Sequence, residues 1–274
     1  MKKYIEKYPN IFTYTLAILL FVCALATSVI INKGIIKEYF PYTAVIFLTI
    51  ATWYLYKREN KSLSNIGLNF KFKNIVLIPF GILIGEGVFL LAKYFRAIYL
   101  GETFNISTEI NYKNILYALY AILPTVAVEE FLFRGYLFKK TIELSSVVKT
   151  NIIFSLLFML IHVLDEDVLS SPGMIMMLVI SIPVGHLMYA TAVLKSKSLF
   201  FPIGIHLGNN WATRHLVSGT NNGESFFYIT NTVNFNTWPS FIIFLLLWNA
   251  IFLIATLIIW KWDSLPIIKR LKKE

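Results

Sequence analysis

The chain has a single cysteine, Cys23, in 274 residues. It can therefore form no intrachain disulfide and no CxxC metal or redox site, and its redox compartment is not legible. Charge is scarce as well: 15% of residues are charged, with only 15 Asp and Glu against 25 Lys and Arg. That scarcity excludes a disordered or nucleic-acid-binding tail, which needs charge to stay solvated, and a water-soluble domain of this length would need more polar surface. No repeated block, low-complexity tract or soluble domain interrupts the chain. What it does have is hydrophobic content, 57% of residues, collected into long unbroken runs such as 14–31 and 241–260, as segments that cross a bilayer require.

Apolar stretches fall at 11–31, 40–56, 74–93, 114–138, 147–164, 174–193, 198–215 and 240–260. The first is long, lacks a small-x-small cleavage context before Asn32 and is followed by seven more, so it reads as a retained span and not a signal peptide. The stretch 198–215, with Pro202, His206, Asn209, Asn210 and Arg214, and the short 147–164 are the two expected to lie partly within protein. Charge alternates in step with this segmentation. With the N-terminus inside, most Lys and Arg fall on inner segments, while Lys33, Lys37, Lys93, Arg96, Lys113 and Arg214 fall outside and Arg134 lies within a span. The connection at Asp165, Glu166 and Asp167 is acidic and outer. The fold expected is an all-α polytopic membrane bundle of about eight transmembrane helices, a single membrane domain over 1–274 with both termini cytoplasmic. The basic balance is mostly a topology signal toward anionic lipid, and no nucleic-acid partner is expected. The connections 57–73, 94–113 and 216–239 carry no regular pattern, and the last, rich in Asn, Thr, Gly and aromatics, suits a cap on the outer side.

Ionisable and amide groups inside the spans are few: Glu86, Glu129, Glu130, Arg134, His162, His186, His206, Asn209 and Asn210. Each needs a partner or a wet cavity. On a helix Glu130 and Arg134 share a face at i,i+4, whereas Glu129 points roughly 100° away. A structural pair beside a free carboxylate that acts as a general base is one reading; a single ion network holding helices together is the other. Phe158 and His162 share a face, as do His206 and Asn210. The second pair combines a proton-transfer nitrogen with an amide donor suited to a developing oxyanion. His186 reads as a packing residue, Glu86 as a partner for Arg134 or a neighbour of the site, and His215 as interfacial. Counted from the inner ends, Glu129 and His206 lie roughly 14 and 12 Å deep and His162 roughly 22 Å, an offset that a shared cavity has to absorb.

Taken together, the EExxxR sequence at residues 129–134, the FxxxH sequence at 158–162 and the HxxxN sequence at 206–210, in that order on three apolar helices, resemble the CAAX protease and bacteriocin-processing family, also called the Abi or type II CAAX prenyl endopeptidase-like family of intramembrane proteases. The resemblance covers roughly 114–215, which it marks as the catalytic core. It implies that Glu129 activates water with His162, that His206 and Asn210 position water or stabilise the oxyanion, and that Glu130 and Arg134 support the site. Two versions follow from it: zinc held by Glu129, His162 and His206, or metal-free chemistry through glutamate. The HExxH pattern of zinc proteases is absent, and a metal-bound Glu129 is less available as a base. The implied function is endopeptidase cleavage, of CAAX type or in bacteriocin or peptide processing, of a hydrophobic or membrane-tethered peptide or protein. The cavity is expected to open toward the cytoplasmic half of the membrane, among lipids, in a multi-pass protein of a bacterial cell membrane. Rival readings are a non-catalytic membrane immunity or peptide-interaction protein and a proton-coupled transporter, for which no pair of broken helices in two halves is found.

Overall fold

A computed structural model describes residues 7–262. The terminal Lys2, Lys3, Lys269, Arg270, Lys272 and Lys273, which entered the charge alternation, lie outside the described residues. The helices are α1 (Pro9–Ile31), α2 (Gly34–Tyr39), α3 (Thr43–Arg58), α4 (Phe72–Ile75), α5 (Leu77–Leu100), α6 (Tyr112–Arg134), α7 (Tyr136–Leu144), α8 (Val147–Val163), α9 (Glu166–Leu169), α10 (Pro172–Ser196), α11 (Phe200–His215) and α12 (Trp238–Lys261). Each of the eight apolar stretches has a long helix, and five segments among the described residues are long and apolar enough to cross a membrane: Pro9–Ile31, Phe72–Leu100, Tyr112–Leu144, Pro172–Ser196 and Trp238–Lys261. The chain is a helical integral membrane protein. Side chains such as Leu19, Val148 and Leu246 stay exposed on their helices, as lipid-facing positions do, because hydrocarbon solvates them as well as a protein core would.

Helix α11 sits at the centre. Every residue from Phe201 to Gly208 is buried, so the expectation that 198–215 lies within protein holds. Helix α8 is buried along one face only, through Thr150, Phe154 and Phe158, while Ile152, Leu156 and Leu160 are exposed, because α8 packs mainly on α10 and leaves its other side bare. The most extensive helix contact joins α11 to α5, and glycine makes it. A Cβ on Gly85 would stand 2.1 Å from the Ile205 carbonyl oxygen, and one on Gly208 would stand 2.2 Å from that of Ile82. Gly81 and Gly85 on α5 face Gly204 and Gly208 on α11, two GxxxG pairs that bring the backbones together. Ile78 meets Gly204 and Ile82 meets Gly208, so the two helices run parallel.

The two ends of the bundle differ. At one, Lys139 Nζ donates to the Asn65 carbonyl (2.8 Å), Ser198 Oγ donates to that of Gly67 (3.3 Å) and Tyr14 meets Thr141 (2.7 Å). The basic connections 57–73, 139–149 and 195–199 thus gather together. Here Glu59 accepts from Tyr136 (2.7 Å) and Lys140 (2.8 Å), and Lys61 bridges Glu59 (3.2 Å) and Glu143 (2.8 Å). At the other end the connections without a periodic pattern make a small sheet in the order β1-β3-β2: β1 (Thr103–Ile106) runs antiparallel to β3 (Phe227–Thr230), with Phe104 opposite Ile229, and β2 (Val217–Ser218) runs parallel to β3. Glu102 is buried beneath it, held by Arg96 at 2.7 Å. The cap expected from 216–239 is built jointly with 94–113.

Candidate active site

Helix α6 carries Asn111 at its N-cap, accepting from the Asn114 N–H (3.2 Å), and ends at Arg134, where Gly135 breaks it. A Cβ on Gly135 would meet the Phe131 carbonyl oxygen at 2.2 Å, so only glycine lets the chain turn there into α7. The last turns of α6 therefore press against α11. Arg134 Nη1 donates to Glu130 Oε1 (3.0 Å), and His206 Nδ1 meets the same oxygen (2.8 Å). Glu130 and Arg134 are fully buried. A carboxylate oxygen only accepts, so Nδ1 carries the proton of this hydrogen bond; in the neutral imidazole Nε2 then keeps its lone pair. That Nε2 lies 3.6 Å from Glu129 Oε2. The Glu129 side chain keeps 19% of its exposure while that of Glu130 keeps none. The i,i+4 pair expected from the sequence is present, and His206 joins it to Glu129.

Rings fix this histidine. Tyr189 of α10 stacks on His206 with centroids 4.6 Å apart and planes at 15°, and Arg134 lies over Tyr189 (5.1 Å) and Phe158 (4.3 Å). Phe158 also meets the edge of His206 at 6.1 Å. Phe158, and not His162, is thus level with the Glu130–His206 pair, and His162 stands one turn farther along α8, about 6 Å. The depth offset of the sequence is real and is absorbed in this way. His162 Nδ1 lies 2.7 Å from the Phe158 carbonyl, which can only accept, so Nδ1 carries the proton of this hydrogen bond. Tyr189 carried no signal in the sequence, being one aromatic in an apolar run.

A cavity of about 320 Å³ opens on the other side of His206, lined by His162, Tyr189, Asn209, Asn210 and Lys93 among others. Its walls are the sheet-side portions of α5, α8 and α11 with facing parts of α10 and α12. The cavity runs toward the sheet and away from the lysine-rich end. The physical reason is that Phe158, Arg134 and Tyr189 fill the space on the lysine-rich side of His206.

Glu86 is half-buried and lines no part of this cavity; Arg134 is occupied by Glu130. His186 is fully buried between the rings of Phe138 (6.0 Å) and Phe158 (6.3 Å), a packing residue as expected. His215 Nδ1 lies 3.0 Å from the Glu224 carbonyl at the sheet end.

For zinc, the three side chains Glu129, His162 and His206 do not fit. Among the described residues no three His, Cys, Asp or Glu side chains are grouped closely enough to hold a metal ion. Glu129 has its contact with His206, and no ion pair joins it to His162 among the described residues. The turn between Phe158 and His162 separates them.

Residues 111–212 match the family model described as type II CAAX prenyl endopeptidase Rce1-like. That segment is similar to the type II CAAX prenyl endopeptidases. It takes in α6 to α10 and most of α11, with all three motifs, and leaves α1 to α5 and α12 unmatched. No curated protein and no solved structure matches the chain. Within the matched segment, the EExxxR helix and the HxxxN helix touch through Glu130 and His206, and the FxxxH helix reaches them through its phenylalanine.

Proposed function

We propose that the chain is an intramembrane endopeptidase that hydrolyses a peptide bond of a hydrophobic or membrane-tethered substrate with water activated by Glu129. One observation carries the reading: Glu129 Oε2 and His206 Nε2 stand 3.6 Å apart, and with the imidazole neutral and protonated at Nδ1 both are acceptors. Two acceptors repel directly, but a water between them donates one proton to each and is left with its lone pairs facing outward. Such a water is oriented for attack on a carbonyl carbon. As its oxygen bonds to that carbon, Glu129 takes one of its protons, and the carbonyl oxygen, now negative, accepts from the Asn210 amide. When the carbon–nitrogen bond breaks, Glu129 returns the proton to the leaving amine, giving one carboxylic acid and one amine per water consumed. Glu130 accepts from His206 Nδ1 and so favours the tautomer this requires, and Arg134 Nη1 donates to the same Glu130 oxygen. His162 lines the cavity, and in its neutral form Nε2 accepts there from substrate N–H or water. Eight spans with the lysine-rich end cytoplasmic complete the reading, supported by the gathering of basic connections at that end.

The test is cleavage of a fluorogenic membrane-anchored peptide library by the purified chain in nanodiscs, compared with Glu129→Gln. Cleavage by the native chain that the variant lacks is the expected result; equal cleavage by both sinks the assignment. Two-electrode or dye-based proton flux in liposomes distinguishes the transporter reading.

A further inference from the structure

The cavity that reaches His206 has a second polar wall whose groups the hydrolytic reading does not use. Lys93 of α5 lines it, with Nζ 5.7 Å from the Phe89 ring centroid. Among the described residues Lys93 makes no ion pair and no hydrogen bond. The carboxylate nearest along the chain, Glu102, is taken by Arg96 (2.7 Å) and by the Val233 N–H (3.2 Å). A cation within a membrane helix is ordinarily compensated by a partner or marks a pathway or binding site. The same cavity presents two acceptors without partners: Asn209 Oδ1 and Asn249 Oδ1 are buried and unsatisfied, while the Asn249 amide nitrogen is committed to Ser181 Oγ (3.1 Å) and the Leu245 carbonyl (2.8 Å). Leaving such groups buried and unpaired is costly.

One unpaired cation and two unpaired acceptors in one cavity are the complement of a ligand with one anionic group and two N–H donors. A peptide segment bearing a carboxylate has that make-up. A phosphate is the poorer match, because its higher charge is usually met by arginine forks or several backbone donors, and the cavity has a single lysine. Distance fits as well: Gly85 packs at Ile205 and Asn209, on either side of His206, and Lys93 lies eight residues farther along α5, about 12 Å, within reach of a short extended peptide.

We propose that Lys93 binds a carboxylate of the peptide substrate while Asn209 Oδ1 and Asn249 Oδ1 accept from N–H groups of the same segment, and that Lys93 determines specificity. Calling the ligand a substrate rests on the endopeptidase reading; the subsite itself rests on the cavity. The experiment uses the full chain in nanodiscs carrying Glu129→Gln, so that binding is read without turnover. The probes are a fluorescently labelled apolar tetrapeptide with a free C-terminal carboxylate, its C-terminal amide, and the amide with glutamate as last residue, followed by anisotropy. One or both acids are expected to bind about tenfold or more tighter than the neutral amide, with the preference abolished by Lys93→Met and largely kept by Lys93→Arg. The free acid as sole winner identifies a chain terminus as the source of the carboxylate, and the glutamate peptide identifies a side chain. Absence of any acid preference, or a preference that Lys93→Met leaves intact, overturns the subsite. Thermal unfolding checks each variant, and Lys93→Gln replaces Lys93→Met if the latter does not fold. Hydrolysis is measured apart, with Glu129 intact: acid-selective binding without cleavage keeps the subsite and sinks the endopeptidase reading.

Discussion

His206 is shared between two adjacent glutamates, its Nδ1 2.8 Å from Glu130 and its Nε2 3.6 Å from Glu129. The short contact and the long one divide the labour. Glu129→Gln should lower the hydrolytic rate roughly 10²–10⁴-fold with little change in thermal stability. Glu130→Gln should lower both, since it removes the group that fixes the imidazole. Rates on a membrane-anchored fluorogenic peptide and melting in detergent separate the two.

Arg134 and Glu130 form an ion pair with no exposure. Removing one partner strands a buried charge, so Arg134→Met should cost about 3–5 kcal/mol. The double variant Glu130→Gln/Arg134→Met should cost less than Arg134→Met alone, because no uncompensated charge remains. Unfolding of the three proteins in one detergent gives the comparison, and a double variant as unstable as the sum of the singles contradicts it.

Gly208→Ala and Gly87→Ala add the same methyl group to two glycines. The first drives it into the Ile82 carbonyl at 2.2 Å, while the second meets nothing within 4 Å. Gly208→Ala should destabilise by about 1–3 kcal/mol, and Gly87→Ala should be neutral or slightly stabilising.

At the lysine-rich end burial pushes the Glu59 carboxyl up, but hydrogen bonds from Lys140, Tyr136 and Lys61 outweigh it and hold it below its usual 4.5. A carboxyl lowered by folding contributes stability that is present above its unfolded value and is lost as pH falls through the folded one. Melting temperature should therefore decline below about pH 4.5, less steeply in Glu59→Gln. Lys61 is raised, chiefly by Glu143, and its contribution holds through neutral pH and fades only as pH rises through the lysine range. An acid limb identical in Glu59→Gln and native protein counts against this role.

Helix positions, the Glu130–Arg134 pair and the common face of His206 and Asn210 were legible because each follows from spacing along one helix. Relations between helices were not. That Glu129 meets His206 and not His162 depends on Phe158 filling the level at which His162 was sought, and no periodicity reports it. Tyr189 beneath His206 is likewise a product of how α10 packs. The strand pairing of Thr103 with Thr230 joins segments more than a hundred residues apart, each too short to show alternation. The glycines at 81, 85, 204 and 208 carry a readable small-residue signal in their four-residue spacing.

The contact of α5 with α11 through those glycines sets how the cavity can diversify. That wall is main chain against main chain, so a single added carbon displaces the helix that carries His206. The walls from α10 and α12 meet the cavity through side chains such as Met177, Ser181 and Phe252, which can be exchanged one at a time without moving a backbone. Changes of substrate preference among proteins built this way should accumulate on α10 and α12, leaving the glycine seam as the invariant hinge-free frame against which new side chains are tried.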